Sequence, residues 1–368
     1  MSELRVDRSR GQHFDWILVA IVVVLMSMGL VNLVSAAASG VEGGSDIVSR
    51  QMMVMGFCVF VIGLVVLIDY RHYDRFAFVL YGGCIGLLLL TLAIAEETRG
   101  ARAWLFSGRF QPSEIAKIGM VIALAHYFGR TPPSSIHRLR DLLIPGLIIA
   151  IPVGLIAAQK DLGVAVLTLL IGLTLLPLVH VPMRAWFSMA LLAAAGLAAL
   201  WQYGLKGYQQ ERILGFIDPS RDPLSSGYQQ MQSKIAVGSG GLFGTGWQEG
   251  TQTQLRFLPT QHTDFAFSVL AEEWGFLGSA LTLGVYAAML LWGLLIARNS
   301  KDPFGSVLAI GLVGTLLWPA AINVAMVLGL APVIGVPMPL FSYGGSALLS
   351  AAISIGLLLN ISMRRYVF

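Results

Sequence analysis

An aspartate at the end of the longest polar segment of the chain stands where a chemical group could act. Asp264 follows Pro259, which stops regular structure, and an apolar run typical of a helix comes directly after it. The pattern predicts Asp264 in the first helical turn, with His262 and Thr263 as candidate capping residues. The acid is then either a helix cap or a positioned base. The local sequence favours the cap, because aspartate is a common capping residue.

Two further charges enter an apolar segment together. Glu114 and Lys117 are spaced i and i+3, so they share one face of the predicted helix. Ionisable groups in a membrane helix are costly unless they are paired or line a cavity. The pair is therefore a structural ion pair, the wall of a polar cavity, or both. Asp161 lies between two apolar runs and would by itself be a turn or cap residue, but it is predicted at the same depth as the pair and Asp264.

The segment 204–263 contains a glycine-rich stretch that could be mistaken for a phosphate-binding loop. No Lys-Ser or Lys-Thr follows a G-x-x-x-x-G spacing, and no G-x-G-x-x-G register fits. What remains is a segment with exposed amides and the cations Arg212 and Lys234, which could meet an anionic headgroup. Its composition favours a plain mobile loop.

The remaining titratable groups have ordinary explanations. Glu272 and Glu273 are expected to form the solvated acidic face of an interfacial helix. No second His or Cys lies at metal-ligand spacing from His262, so a zinc site is not predicted. Cys58 and Cys84 lie in apolar runs and are predicted to be buried free thiols.

Membrane helices must position these groups. The chain of 368 residues is 56% hydrophobic and 12% charged, whereas a soluble domain carries roughly a quarter charged residues. This composition predicts an all-α polytopic membrane protein with about ten transmembrane helices in a single domain, 1–368. The predicted spans are about 16–36, 49–69, 76–95, 113–129, 142–158, 162–179, 184–203, 265–297, 304–328 and 346–363. The eighth is too long for one crossing, so its start, near 264–273, is predicted to be interfacial or re-entrant.

The charges that flank the spans predict the orientation of the chain. With the N-terminus in the cytoplasm, thirteen Lys and Arg residues lie on the inner side, against five in the short outer loops. An even number of spans places both termini inside. Segment 204–263 then becomes a large extracytoplasmic loop between helices 7 and 8. The polar complexity of the chain faces outward, which favours a function at the outer leaflet.

Motifs in matching order across nearly the whole chain resemble those of the SEDS family (shape, elongation, division and sporulation). They are the run Arg109 to Lys117, the run Gln232 to Gly241, Phe257-Leu258-Pro259 with His262 to Phe265, Ala271-Glu272-Glu273, and Val336 to Pro339 with Ser342 to Ser346. Within the family, Ser233-Lys234 and the stretch 250–255 are closer to the cell-elongation branch than to the division branch.

The resemblance implies a peptidoglycan glycosyltransferase that polymerises lipid II at the outer face of the bacterial cytoplasmic (inner) membrane. It implies a class B penicillin-binding protein as partner, which cross-links the glycan, within the elongation machinery. Asp264 corresponds to the essential aspartate of the family, the general base on the acceptor hydroxyl, with undecaprenyl pyrophosphate as the leaving group. Glu114, Lys117 and Asp161 correspond to its polar cavity residues.

The list of candidate substrate contacts is longer than these cavity residues. The additional candidate substrate-binding residues are Arg109, Arg212, Lys234, His262, Thr263 and Ser342. Positive charge is needed to hold the leaving pyrophosphate, and Lys117, Lys234 or Arg109 could supply it. A divalent cation, Mg or Mn, shared by carboxylates and the pyrophosphate is the one cofactor left open.

One departure from the family pattern is visible. Where the family usually has Gln-Pro-Asp-Leu-Gly, this chain has Gln159-Lys160-Asp161-Leu162-Gly163. The aspartate is present, but the loss of the proline leaves the geometry of this turn open.

Two other functions fit the same topology. A lipid II flippase would also have many spans and intramembrane charges, but it would expose polar groups to both sides and usually carry internal repeats. No convincing repeat relates the halves of this chain. A non-catalytic scaffold for the penicillin-binding protein is the remaining alternative.

Overall fold

In the part of the chain that the structure describes, the fold consists of helices and the connections between them. A computed structural model of the chain describes residues 14–38, 44–97, 100–106, 108, 110–131, 139–178 and 226–364, with a few isolated positions between 187 and 210. In these ranges the strand-like pairing is a single antiparallel bridge between Leu105 and Phe110. The chain is therefore all-α in its described part.

The helices follow the predicted spans closely. In chain order they are α1 (Trp16–Ala38), α2 (Gly44–Leu67), α3 (Tyr70–Arg75), α4 (Ala77–Ile94), α5 (Pro112–Arg130), α6 (Leu143–Ala158), α7 (Leu162–Leu173), α8 (Ser226–Ser239), α9 (Thr251–Gln254), α10 (Ala266–Asn299), α11 (Pro303–Val327) and α12 (Gly345–Arg364). Short 3-10 turns precede α6 and follow α7, at Leu139–Leu142 and Leu176–Leu178.

The membrane-spanning character of the chain follows from these helices. Among the described residues, α1, α2, α4, α10, α11 and α12 are long and apolar enough to cross a membrane by length and composition. The chain is thus a multi-pass membrane protein. The seventh predicted span, about 184–203, lies almost entirely outside the described residues, so the total of ten stays a prediction.

Helices α5, α11 and α12 form the centre of the bundle, and α2 and α4 lie at its periphery. In the apolar stretches of α12 and α11, 78% and 67% of residues are buried, against 17% in α2 and in α4. Small residues permit the close packing at the centre. Gly311 of α11, for example, approaches Val121 of α5 so closely that an added Cβ would collide with the valine side chain.

The helix α10 is broken near its start, and the glycine-rich stretch fills the break. Gly275 has φ 64° and ψ −160°, which interrupts the helical hydrogen bonds. The freed N–H of Phe276 donates to the Gly241 carbonyl at 2.9 Å, and the Thr245 N–H donates to the Glu272 carbonyl at 3.0 Å. The expectation of a plain mobile loop is therefore wrong for this stretch, because its backbone is bonded to α10 on both sides of the break.

The end of the bundle opposite the start of α10 is braced by buried polar contacts. Asp15, just before α1, accepts hydrogen bonds from Trp292 Nε1 of α10 and from the Ser362 hydroxyl of α12, both at 2.9 Å. Asn360 of α12 donates from Nδ2 to the Val65 carbonyl in α2 at 2.6 Å. These groups connect helices to one another and lie among packed side chains.

The prediction of buried free thiols holds for Cys58 and only partly for Cys84. Cys58 and Cys84 are both free thiols. Cys58 is buried, as predicted, and Cys84 is half-buried against α5.

Candidate active site

A small polar cleft opens where α5, α11 and α12 meet the connection between α11 and α12. We call this connection, residues 328–344, the α11–α12 loop. The lining residues of the cleft are Glu114, Lys117, Thr315, Pro319, Val336, Pro337, Pro339, Ala347, Ser350 and Ala351. Three central helices and one loop thus enclose the predicted pair of charges.

Glu114 and Lys117 form a buried ion pair on the wall of this cleft. Lys117 Nζ lies 2.7 Å from Glu114 Oε1, and the Ser350 hydroxyl of α12 donates to Glu114 Oε2 at 2.9 Å. The side chains of Lys117 and Glu114 are only 3% and 11% exposed, so each charge needs the compensation that it finds here. Both alternatives raised by the sequence hold, since the pair braces α5 against α12 and also lines a polar cleft.

Asp161 lies beside this pair and caps α7, as its position in the sequence suggested. Its Oδ1 accepts the Val164 N–H at 3.2 Å, and its Oδ2 accepts a hydrogen bond from Gln111 Nε2 at 2.9 Å. Burial raises the pKa of the Asp161 carboxyl, while the Val164 N–H and the charge of Lys117 act in the opposite direction. Asp161 is therefore within electrostatic range of the cleft, and its capping role does not compete with that placement.

The turn before Asp161 has a geometry that proline could not adopt. Lys160 has φ 66°, and its N–H donates to the Ala157 carbonyl at 2.9 Å, while the Asp161 N–H donates to the Ile156 carbonyl at 3.3 Å. These two bonds form a Schellman motif that ends α6 with Lys160 in the left-handed position. Proline has φ near about −65° and no N–H. Lys160 therefore permits a backbone turn before Asp161 that a proline at this position could not form.

Lys160→Pro is expected to destabilise the protein, and Lys160→Gly to be tolerated. Glycine adopts a positive φ at little cost, whereas proline would lose a hydrogen bond and force the turn open at more than about 1 kcal/mol. Thermal unfolding of the purified variants measures the difference. Lys160→Ala is the control, because it also loses the 2.7 Å pair with Glu97 but keeps the backbone N–H. A proline variant as stable as the glycine variant would contradict this geometry.

Asp264 lies in the turn before α10 and not in the first helical turn. The helix begins at Ala266 and its N-cap residue is Phe265, so the aspartate does not occupy the capping position that the local sequence favoured. Asp264 is half-buried. A Cβ built on Gly335, in the α11–α12 loop, would lie 3.4 Å from Asp264 Oδ2. The glycine, at φ 76°, lets the loop backbone pass close to the carboxylate.

Amide side chains from two helices hold the Asp264 turn. Asn32 of α1 donates to the Ala266 carbonyl at 2.9 Å. Asn323 of α11 donates to the Asp264 carbonyl and to the Val336 carbonyl, both at 2.7 Å. Because Val336 lines the cleft, this second contact attaches the Asp264 turn to the cleft wall.

Three other predicted contact residues take part in shaping the turn and the loop. The His262 carbonyl accepts the Tyr343 N–H at 3.0 Å, and the two rings meet edge to face with centroids 6.0 Å apart. The Thr263 hydroxyl donates to a backbone carbonyl within its own turn at 3.3 Å, and the Ser342 hydroxyl accepts a backbone N–H within the loop at 3.1 Å. Direct contact of these residues with a substrate stays a prediction.

Glu272 and Glu273 are buried, so the expected solvated acidic face is wrong. Their exposed fractions are 0% and 2%. Glu272 accepts the Gln252 N–H at 2.7 Å and both the N–H and the hydroxyl of Thr253, at 3.1 and 2.7 Å. Glu273 accepts the Ser35 hydroxyl of α1. Glu272 thus anchors the polar segment before α10, and Glu273 connects α10 to α1.

Of the predicted cations, two lie in the described part of the chain. Lys234 is exposed on α8, and its side chain passes so close to Gly329 of the α11–α12 loop that a Cβ there would collide with it. Lys117 is bound to Glu114 inside the cleft. Arg109 and Arg212 lie outside the described residues.

A resident metal centre does not fit the donor set seen here. In the part of the chain that the structure describes, no three His, Cys, Asp or Glu side chains are grouped so that they could hold a metal ion. A divalent cation at this site would need ligands from a substrate as well as from the protein.

Sequence reasoning missed the parts played by Asn323, Ser350 and Gln111. A signal was present for the first of them. Thr315, Pro319 and Asn323 follow one another at intervals of four in an otherwise apolar helix, which places them on one face. Two polar residues and a proline on one face of an apolar helix indicate a cavity or a partner for that face.

Sequence comparisons relate the chain to one family over its full described extent. The family model that matches, named for FtsW, RodA and SpoVE and described as "Cell cycle protein", covers residues 15–367. The peptidoglycan glycosyltransferase MrdB of Escherichia coli K12 is 40% identical over 357 residues, which cover 96% of this chain and 94% of that protein. The peptidoglycan glycosyltransferase RodA of Treponema pallidum is 31% identical, covering 97% of this chain and 100% of the relative.

Solved structures show the same fold. A chain from a peptidoglycan synthase complex, whose study concerns the coordination of polymerization and crosslinking, superposes with a TM-score of 0.83 at 34% identity and covers 96% of this chain and 98% of that one. The rod shape determining protein RodA of Thermus thermophilus superposes with a TM-score of 0.71 at 32% identity, with the same coverage.

Proposed function

Because this chain belongs to the FtsW, RodA and SpoVE family of cell cycle proteins, we propose that it is a peptidoglycan glycosyltransferase that polymerises lipid II into glycan strands during cell elongation. Relatives from two bacteria are named as peptidoglycan glycosyltransferases, and a third is named for rod shape. The family thus supports the class of enzyme. The assignment of individual residues rests on the site.

The observation that carries the chemical proposal is the position of Asp264. Its carboxylate stands outside the helix cap, half-buried, beside the loop whose Val336 lines the polar cleft. A general base must reach the proton that it takes and must be held in place. An aspartate on a braced turn beside the loop that lines the cleft meets the second requirement, and its half-buried side chain is partly accessible to a substrate for the first.

In the proposed reaction, Asp264 accepts the proton of the acceptor hydroxyl as that oxygen attacks the anomeric carbon of the donor sugar. The new C–O bond forms while the bond to undecaprenyl pyrophosphate breaks, and the configuration at the anomeric carbon is inverted. The pyrophosphate leaves without needing a proton, so one carboxylate suffices. This differs from glycoside hydrolysis, in which a pair of carboxyl groups shares the work.

The charge that develops on the pyrophosphate needs cations. We assign this role to Lys234, which is exposed beside the α11–α12 loop, and to Arg109 and Arg212 from the flanking segments. Lys117 is held by Glu114 and keeps the cleft polar. A divalent cation enters the proposal only as an ion that the substrate pyrophosphate helps to bind, and no step depends on it.

The distribution of buried polar groups favours an enzyme over a flippase. A flippase would need groups that open to either side. In the described residues, the polar groups at the end opposite Asp264, such as Asp15 and Asn360, are engaged in bonds that brace neighbouring helices. The open polar cleft lies at the Asp264 end.

A reconstituted reaction tests the function. The purified chain, with a class B penicillin-binding protein and labelled lipid II, should form glycan polymer that resolves as a ladder on a gel. Lipid II movement across vesicles without polymer would favour the flippase. If neither polymer formation nor lipid II movement is observed, the scaffold function remains as the alternative.

The proposed site faces the extracytoplasmic side of the bacterial inner membrane, on the basis of the charge bias of the flanking segments. In a variant without its native cysteines, Glu249→Cys should react with a membrane-impermeant maleimide in intact spheroplasts. Lys301→Cys, in the connection between α10 and α11, should react only after permeabilisation. Both positions are exposed, so access and not burial decides the result. Labelling of position 301 from outside would reverse the proposed orientation.

The proposed partner, a class B penicillin-binding protein, has a suitable surface available. An apolar groove runs between α10 and α11. Its lining residues are Leu283, Tyr286, Ala287, Leu290, Leu317, Ala320, Ala321, Val324 and Met338. Alanines at such a surface permit the close approach of a spanning helix. The similarity to a chain of a solved peptidoglycan synthase complex supports this assignment.

A further inference from the structure

We propose that Asn323 is a positioning residue for Asp264. Its amide ties the Asp264 turn to the α11–α12 loop and thereby sets where the carboxylate stands relative to the cleft. The inference rests on the proposed role of Asp264 as base and adds a residue from a different helix to the machinery. Asn323 does not act on the substrate but through the backbone of the turn.

The geometry of Asn323 is that of a clamp between two distant segments. An amide group carries two N–H donors. Here the Nδ2 atom lies 2.7 Å from the Asp264 carbonyl oxygen and 2.7 Å from the Val336 carbonyl oxygen. The Asn323 side chain is fully buried, so its N–H groups give these two carbonyls the hydrogen bonds that water would otherwise donate.

The clamp acts next to a position where the loop passes close to the carboxylate. Gly335 immediately precedes Val336, and a Cβ added to Gly335 would lie 3.4 Å from Asp264 Oδ2. A shift of the loop would therefore change the surroundings of the carboxylate and the cleft wall together. Displacement of a reacting group by about 1 Å can cost about 100-fold in rate.

The fold does not depend on this clamp alone. The start of α10 is also held by Asn32, which donates to the Ala266 carbonyl, and the turn is held by Gln261 Nε2, which donates to the Ala36 carbonyl of α1 at 2.9 Å. Loss of Asn323 would release the Asp264 carbonyl and the loop while α10 stays attached to α1. The expected defect is therefore local to the site.

The test compares Asn323→Ala with Asn360→Ala in the lipid II polymerisation assay. Asn360 is a matched control, because it is also fully buried and also donates to backbone carbonyls, but at the opposite end of the bundle. For Asn323→Ala we expect kcat to fall about 10- to 100-fold with little change in the KM for lipid II. For Asn360→Ala we expect kcat to be retained below its melting temperature. Thermal unfolding is measured for both.

Two results would overturn the inference. One is a wild-type kcat in Asn323→Ala, and the other is an equal loss of kcat in Asn360→Ala at a matched loss of stability. If Asn323→Ala is too unstable to assay, Asn323→Ser keeps one donor and should show an intermediate kcat, whereas a wild-type kcat would again refute the clamp. Asp264→Asn is assayed alongside. If Asp264→Asn still forms polymer, the proposed base is refuted. If Asp264→Asn forms no polymer while the Asn323 variants form it normally, only the inference about Asn323 is refuted.

Discussion

Asp264→Asn is expected to abolish detectable polymerisation of lipid II while the protein remains folded. The amide has nearly the shape of the carboxylate, but it cannot accept the proton of the acceptor hydroxyl. General base catalysis typically contributes about 10² to 10⁴ in rate, so the loss should be of that order. The residue is half-buried and precedes the N-cap residue of α10, so the helix start should persist. Polymer length on a gel and thermal unfolding of the same preparation are the measurements.

The matched control for this variant is Glu249→Gln. Glu249 is an exposed acid in the same polar segment, and it has no part in the proposed mechanism. Its amide variant should polymerise as the wild type does. Normal polymer from a stable Asp264→Asn protein would remove Asp264 from the chemistry. Lost polymer with lipid II binding retained would defeat the flippase and the scaffold together.

Lys117→Ala is expected to cause the largest loss of stability of the variants considered. It would leave the Glu114 carboxylate buried with the Ser350 hydroxyl but without its cation, which lies 2.7 Å away in the intact protein. Breaking a buried pair from one side costs about 3–5 kcal/mol. Polymerisation should fall as well, because an unpaired charge in the cleft draws in water or a proton.

The double variant Glu114→Gln with Lys117→Met tests whether the two charges stabilise each other directly. It removes both charges and keeps most of the volume, so it should be more stable than Lys117→Ala. Lys234→Ala serves as the stability control, because this exposed lysine should change the free energy of unfolding by less than about 0.5 kcal/mol. A double variant no more stable than Lys117→Ala would argue against a direct pair. Thermal unfolding in detergent reads out all three.

The sequence predicted those features that depend on near neighbours in the chain. The spacing of Glu114 and Lys117 by three residues places them on one helix face in any helix, and the structure pairs them. The apolar runs likewise predicted the helices within a few residues. Asp264 was predicted within the first helical turn, whereas the helix begins at Ala266, because a turn and a first helical turn can have the same residue types.

What the sequence could not show depends on contacts between distant segments. Glu272 and Glu273 look like the polar face of a surface helix, and only the return of residues 252 and 253 explains their burial. Asn323 is a lone amide in an apolar helix until the loop at Val336 comes back to it. Lys160 occupies a left-handed position that residue type alone would assign to glycine.

The break at Gly275 has a consequence for how the protein matches the thickness of its bilayer. An unbroken helix of 34 residues would measure about 51 Å, well beyond the hydrocarbon layer of about 30 Å. The segment from Phe276 to Asn299 is about 36 Å long, which a moderate tilt accommodates without hydrophobic mismatch. The residues before the break are thereby free to lie off the axis of the span. Under the proposed function, this geometry allows Asp264 to remain at the headgroup boundary, where a lipid-linked sugar would lie, instead of projecting into bulk water.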